Sequence, residues 1–227
     1  MAQLEGAAKQ RYVAALFARI AGRYDLMNDL MTTGQHRRWK RRTARLTATG
    51  LQGKALDIAI GTGDLAMALA RCPEIQHAVG VDLLPNMAAL DRARTQARGL
   101  AGKTTLLIGD AMELPFPGGA FACAAADFSL RNMPDLRGAL AKMVRVVRPG
   151  GPKARLFRWY FHHVVPLVGR VVAGDRSAYT YLPQSVDNFL EADRLAELFR
   201  ELGLAETGYL QLGMGTVTLH WSNRPPA

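Results

Sequence analysis

Apolar positions along this chain follow two periods, and the period switches at short, regular intervals. ALDIAI (55–60), HAVGVDLL (77–84), TTLLIGDAM (104–112) and AFACAAADFSL (120–130) are nearly continuous apolar runs bounded by Gly and Asp, the pattern of strands buried on both faces. Residues 64–71, 85–99 and 136–147 have helical spacing, and the last of these is stopped by Arg148-Pro149-Gly150-Gly151. Residues 8–22 and 36–49 predict two helices ahead of the first strand. Near the end, 185–202 places Phe189, Leu195, Leu198, Phe199 and Leu202 on one helical face, and GYLQLGMGTVTLHW (208–221) predicts a β-hairpin turning near Gly213-Met214-Gly215. Strands alternating with helices at this pace predict an α/β fold with a doubly wound, mostly parallel sheet.

With 227 residues, 49% of them hydrophobic, the chain is expected to form one domain, 1–227, with a full core. It divides into N-terminal helices (1–50), a core carrying the strand ends (51–151) and a last segment (152–227). No apolar run approaches the ~20 residues of a membrane helix. MAQLEGAAKQRY at the start has no apolar signal region, so the cytoplasm is the expected compartment. Cys72 and Cys123 are too few for a disulfide framework and are not spaced as metal ligands, and no metal is expected.

Charge adds a question, because the formal net charge is +10 and part of it is concentrated in His36-Arg37-Arg38-Trp39-Lys40-Arg41-Arg42. A solvated helix face, an anionic membrane and nucleic acid are the available readings. No nucleic-acid module surrounds the block and no regular aromatic interleaving accompanies it, so nucleic acid is not an expected partner.

In such a sheet ligands bind beyond the carboxyl ends of the strands. The first strand is followed by Gly61-Thr62-Gly63 and a helix, where bare backbone can approach a ligand. Asp82 ends the second strand 19 residues after Gly63, the place of a carboxylate that accepts hydrogen bonds from two ribose hydroxyls. A full dinucleotide fingerprint would need a third glycine at position 66, which is alanine. The third strand leads into Gly109-Asp110-Ala111, and the fourth into Asp127-Phe128-Ser129-Leu130-Arg131-Asn132.

Gly109-Asp110-Ala111 followed by Leu114-Pro115-Phe116 resembles the adenine-reading loop of class I S-adenosylmethionine-dependent methyltransferases, and Asp57-x-x-x-Gly61-x-Gly63 resembles their first motif. The flanks are closer still to one group, the menaquinone and ubiquinone biosynthesis C-methyltransferases. Residues 21–28 (AGRYDLMN) with His36-Arg37-Arg38-Trp39-Lys40 resemble their N-terminal signature, and Phe128-Ser129-Leu130-Arg131-Asn132 their FGLRN stretch with serine for glycine. Gly174-Asp175 and Tyr179-x-Tyr181-Leu182-x-x-Ser185 resemble their later segment, and Ile60 stands where their cofactor loop has a small residue.

The resemblance implies S-adenosylmethionine as cofactor, held by Asp57, Gly61, Thr62, Gly63, Asp82, Asp110, Ala111 and Asp127. It implies methylation of a ring carbon of a prenylated quinol, demethylmenaquinol to menaquinol, with Arg131 stabilising the phenolate and Tyr24 helping to close the site. A ubiquinone-pathway quinol, another small molecule, or cofactor binding without turnover are the alternatives. Residues 1–50 would cap the substrate, and the basic block would touch an anionic membrane surface from the cytoplasmic side. Oligomeric state is left open. Met27, Leu30 and Met31 are expected in the core, or lining the prenyl tail, and His162 and His163 as structural residues. After Gly151 about fifteen residues of the family pattern are absent, more than a usual loop difference, and Pro152 removes a ladder donor. The fifth strand is therefore expected to be missing or shortened.

Overall fold

The computed structural model describes residues 5–149, 181, 189–212 and 217–226, together with the backbone of 155–161. Three helices come first: α1 (Gly6–Ile20), α2 (Tyr24–Thr32) and α3 (Gln35–Ala48). The alternating core follows as β1 (Gly53–Ile58), α4 (Asp64–Ala70), β2 (Ile75–Asp82), α5 (Pro85–Ala97), β3 (Thr104–Ile108), β4 (Cys123–Ala126) and α6 (Leu136–Val146). Then come β5 (Arg155–Phe161), α7 (Ala192–Glu201), β6 (Ala205–Leu212) and β7 (Val217–Asn223).

These strands form one seven-stranded sheet in the order β3-β2-β1-β4-β5-β7-β6. The first five run parallel, whereas β7 is antiparallel to both β5 and β6. This is the doubly wound α/β sheet that the pattern predicts, with a C-terminal hairpin whose turn, Gly213-Met214-Gly215, lies outside the described residues.

The expected loss of the fifth strand is overturned. Residues 155–161 pair with β4, Leu156 opposite Ala124 and Arg158 opposite Ala126, and on their other edge with all of β7. The strand as described starts at Arg155, three residues after Pro152. RLFRWYF also has the aromatic-rich composition that suits a strand.

Two strands are shorter than their apolar runs. β4 stops at Ala126 because Phe128 turns out of the strand with φ +53°. β3 stops at Ile108, ahead of a turn in which the Met112 N–H donates to Asp110 Oδ1 at 2.8 Å. The late helix begins at Ala192, not at 185, and Phe189 precedes it while still packing on the core beside Leu195, Leu198 and Phe199.

The period of two in the strands separates two cores. Ala55, Cys123 and Ala125 face the helices α1, α3 and α4, while Leu56, Ile58, Ala124 and Ala126 face α6 and α7. Asp57 and Asp127 continue the first series, so both acids point to the α3–α4 side. Ile60, the departure in the cofactor loop, is buried against Gly80 of β2. A Cβ at Gly80 would stand 2.1 Å from Ile60 Cδ1, so the missing side chain on β2 makes room for the large one in the loop.

Candidate active site

The strand order reverses between β1 and β4, the switch point at which such sheets bind ligands. A cleft lies there, lined by the strand ends and by α1. The strand ends form its floor and α1 its roof, through Val13, Ala14 and Phe17. Gln10 of α1 donates to Asp110 Oδ2 at 2.5 Å, and Lys9 donates to the Met133 carbonyl at 2.8 Å, so the roof is fastened on both sides. Ala59 and Phe128 line the floor in left-handed conformations, φ +54° and +53°. That conformation costs a residue with a side chain about 1–3 kcal/mol.

Asp82 organises the loop after β1. Its carboxylate accepts from the Gly61 N–H at 2.8 Å and the Leu84 N–H at 2.9 Å. Burial raises its pKa, and these backbone donors oppose the shift. Each oxygen keeps a lone pair for a further donor. Gly61 has φ +56° and open space where a Cβ would be, on the cleft side. Gly63 is different, because a Cβ there would meet Asp91 Oδ1 at 1.6 Å. Its bareness serves the packing of α5, and its N–H is already given to the Ile60 carbonyl at 3.1 Å.

Among the residues expected to hold cofactor, Gly61, Asp82, Asp110, Ala111 and Asp127 line the cleft, whereas Asp57, Thr62 and Gly63 do not. Thr62 turns away and donates to Asp25 Oδ1 at 2.7 Å. Asp57 is buried, and among the described residues neither of its oxygens has a hydrogen-bond partner, though the Ala66 amide is close enough to lower its carboxyl pKa. Burial first, then the charge of Asp127, pushes its carboxyl well above the usual range. Both carboxylate oxygens of Asp110 are engaged, by Met112 and Gln10.

A chain of charges lies behind the floor. Arg94 donates to Asp25 at 2.7 Å and to Asp64 at 2.6 Å, and Asp64 is 3.4 Å from the Lys40 ammonium. Lys40 in turn stands 3.2 Å from Asp127 Oδ2. Lys40 is thus buried, and it does not belong to the exposed basic surface in which the sequence grouped it. His36 is buried too, with its pKa lowered to about 4 by burial and by Lys40. Trp39 packs against the core, while Arg37, Arg38, Arg41 and Arg42 are exposed.

Tyr24 lines the cleft, and burial raises its hydroxyl pKa while Lys40 and Arg131 lower it. Arg131 itself is outside the lining. It sits in the turn Leu130–Asn132 between Ser129 and Asn132, which do line it, and its charge acts on Tyr24 and Tyr181. Tyr181 donates to Asn132 Oδ1 at 3.3 Å. Met27 is in the core, but Leu30 is exposed, so the two do not share a buried face. His162, His163, Gly174, Asp175, Tyr179, Leu182 and Ser185 lie outside the described residues.

Sequence reasoning missed Gln10, Lys40, Ala59 and Phe128. A signal existed for Lys40: His36, Lys40, Thr43 and Thr47 recur at helical spacing, and all four are buried. For the two left-handed residues no residue type announces the backbone.

Set beside known proteins, residues 5–224 match the model of the ubiE/COQ5 methyltransferase family. The chain is 39% identical to the demethylmenaquinone methyltransferase of Roseiflexus castenholzii, over 93% of each. It is 34% identical to the ubiquinone/menaquinone biosynthesis C-methyltransferase UbiE of Proteus mirabilis, over 93% of this chain and 90% of that one. In fold it is similar to a SAM-dependent methyltransferase from Thermotoga maritima, with TM-score 0.65 and 19% identity over 93% of this chain and 99% of that one.

Proposed function

The chain belongs to the ubiE/COQ5 methyltransferase family, and on that premise we propose that it methylates a ring carbon of a prenylated quinol, converting demethylmenaquinol to menaquinol. The observation that carries this reading is the cleft at the switch point, where Asp82 braces Gly61 and Asp110 and Asp127 stand on the same wall. The residues present fit the cofactor: Gly61 leaves open space on the cleft side, and Asp82 keeps acceptor capacity for ribose hydroxyls. S-adenosylmethionine, when bound, supplies the electrophilic methyl group.

Leu83, Met87 and Ala111 give an apolar wall for a base, and Asp127 offers an anion to the amino-acid end. The roof of Val13, Ala14 and Phe17 excludes water, which strengthens electrostatic interactions inside. Arg131 is assigned to stabilise the phenolate that directs electron density to the ortho carbon, and Tyr24, which lines the cleft, to share that task. A guanidinium holds such an oxyanion well but cannot serve as the base.

For the tail of the substrate we assign a membrane contact to the exposed Arg37, Arg38, Arg41 and Arg42, with Leu26 and Leu30 of α2 exposed nearby. Each basic residue near an anionic surface contributes ~1 kcal/mol. No helix among the described residues is long and apolar enough to cross a membrane.

The test is turnover of S-adenosylmethionine with a short-chain demethylmenaquinol, with the matching ubiquinone-pathway quinol as a second arm. The expected result is a quinol whose mass increases by one methyl in place of one hydrogen. Tight binding of S-adenosylhomocysteine with neither quinol methylated would replace this reading with that of a non-catalytic cofactor-binding protein.

A further inference from the structure

Lys40 is surrounded on its helix by exposed arginines, yet its own side chain is only 8% exposed. Removing an ammonium from water is costly unless it is paired, so its partners show what it is for. Among the described residues it has two acidic partners, Asp64 at 3.4 Å and Asp127 at 3.2 Å. Asp64 has a closer cation of its own in Arg94, at 2.6 Å, and Arg98 at 3.7 Å. Asp127 has neither. Its Oδ2 faces Lys40, and its Oδ1 is buried without a hydrogen bond on a residue that lines the cleft.

We propose that Lys40 is a positioning residue that keeps Asp127 anionic on the cleft wall and so sets how tightly the cleft takes the cationic amino-acid end of its cofactor. This rests on the cofactor reading of the cleft. The groups facing Asp127 are Lys40 from α3, Asp64 from α4, Asp57 from β1 and the Tyr24 hydroxyl from α2. Lys40 is the cation of this set. Burial leaves the carboxyl of Asp127 raised above the usual range, with Lys40 the main influence limiting the shift and Asp64 adding to it. Burial would lower the lysine itself, but Asp127 and Asp64 outweigh it and hold the ammonium above the ordinary lysine range. Without that ammonium, Asp127 is left among like charges in a buried site, where a carboxyl takes up a proton. A protonated Asp127 loses its attraction for an ammonium group.

The experiment measures S-adenosylhomocysteine affinity by calorimetry between about pH 6 and about pH 9, a window that spans a strongly raised carboxyl. Four proteins are compared: wild type, Lys40→Met, Lys40→Arg and the double variant Lys40→Met/Asp127→Asn. Lys40→Met should approach wild type at the alkaline end and lose up to about tenfold per pH unit on acidification, with its transition at least about one unit higher than in wild type. Lys40→Arg should follow wild type, and the double variant should bind weakly at every pH. Affinity in Lys40→Met that is unchanged, or reduced equally at all pH values, overturns the proposal, as does pH dependence that survives in the double variant. Should Lys40→Met fail to fold, wild-type binding near neutrality in buffers of different ionisation enthalpy decides. No proton exchange is expected, and proton release on binding overturns the assignment. A wild type that does not bind at all removes the cofactor reading itself.

Discussion

The two faces of the central sheet grow from the same strands and both carry an apolar core, but only one of them also buries a set of charges. On the α6–α7 face the strands contribute Leu56, Ile58, Ala124 and Ala126, and the helices add Leu140, Met143, Leu195 and Phe199, with the buried His220 of β7 against Phe199 and 2.9 Å from the Ala192 carbonyl. On the α3–α4 face the same strands contribute Asp57 and, past its end, Asp127, met by the buried Lys40, His36, Thr43 and Thr47. A shift of one residue along a strand separates the two. The α6–α7 face holds the fold together mainly by apolar packing and buries no acid or lysine among the described residues. The polar face carries charges whose burial is offset only by mutual pairing, and it is the one adjoining the cleft floor.

This division can be broken from either side, and the largest effect is expected on the apolar one. Phe199→Ala empties a fully buried site on α7 and should destabilise by about 3–5 kcal/mol in urea unfolding. Affinity for S-adenosylhomocysteine, counted per folded molecule, should stay unchanged; a parallel loss would show that the faces are coupled. Arg131→Ala should lower kcat by ~10²–10³, the scale of losing one electrostatic stabiliser, with cofactor affinity nearly constant. Arg131→Lys should recover only part, for lack of the planar fork. If kcat survives, Tyr24 inherits the role.

Smaller losses sharpen the boundary of the cleft. Asp82→Ala removes the acceptor for Gly61 and Leu84 and should weaken S-adenosylhomocysteine by ~1.5–3 kcal/mol in calorimetry. Gly63→Ala should act through the collision with Asp91, lowering the melting temperature more than the affinity. A last effect is confined to acid. The folded His36 has a pKa of about 4 against 6.5 in the unfolded chain. Its neutral burial therefore contributes full stability above about pH 6.5, which is lost as the pH falls through about 4. The stability difference between wild type and His36→Gln, followed by urea unfolding across that range, should shift towards the variant on acidification.

The parallel sheet was legible because buried strands leave continuous apolar runs, and Asp82 was legible because a strand end followed by a ligand loop has a fixed spacing. The fifth strand was misjudged because a gap relative to a family pattern says nothing of whether the remaining residues can pair. RLFRWYF closes the space between β4 and β7 in full register with the latter. Lys40 was misassigned because a run of basic residues was read as one surface, although a helix turns about 100° per residue and sends the fourth position inward. Thr62 and Gly63 were assigned to the cofactor from the likeness of Asp57-x-x-x-Gly61-x-Gly63 to a methyltransferase motif; in the structure the turn through the Ile60 carbonyl turns Thr62 to Asp25 of α2 and packs Gly63 against Asp91 of α5.

Ile60 and Gly80 deserve to be treated as one unit of sequence with two letters. Because the isoleucine fills the place where a side chain on β2 would stand, neither position can change size alone without a void or a collision. Ile60→Ala opens a void beside the cofactor loop, Gly80→Ala forces a collision, and the double substitution should relieve both. The pair predicts a non-additive interaction of ~0.5–3 kcal/mol in a double-mutant cycle. Grafting a loop from a relative with a small residue here would fail unless the strand behind it were changed at the same time.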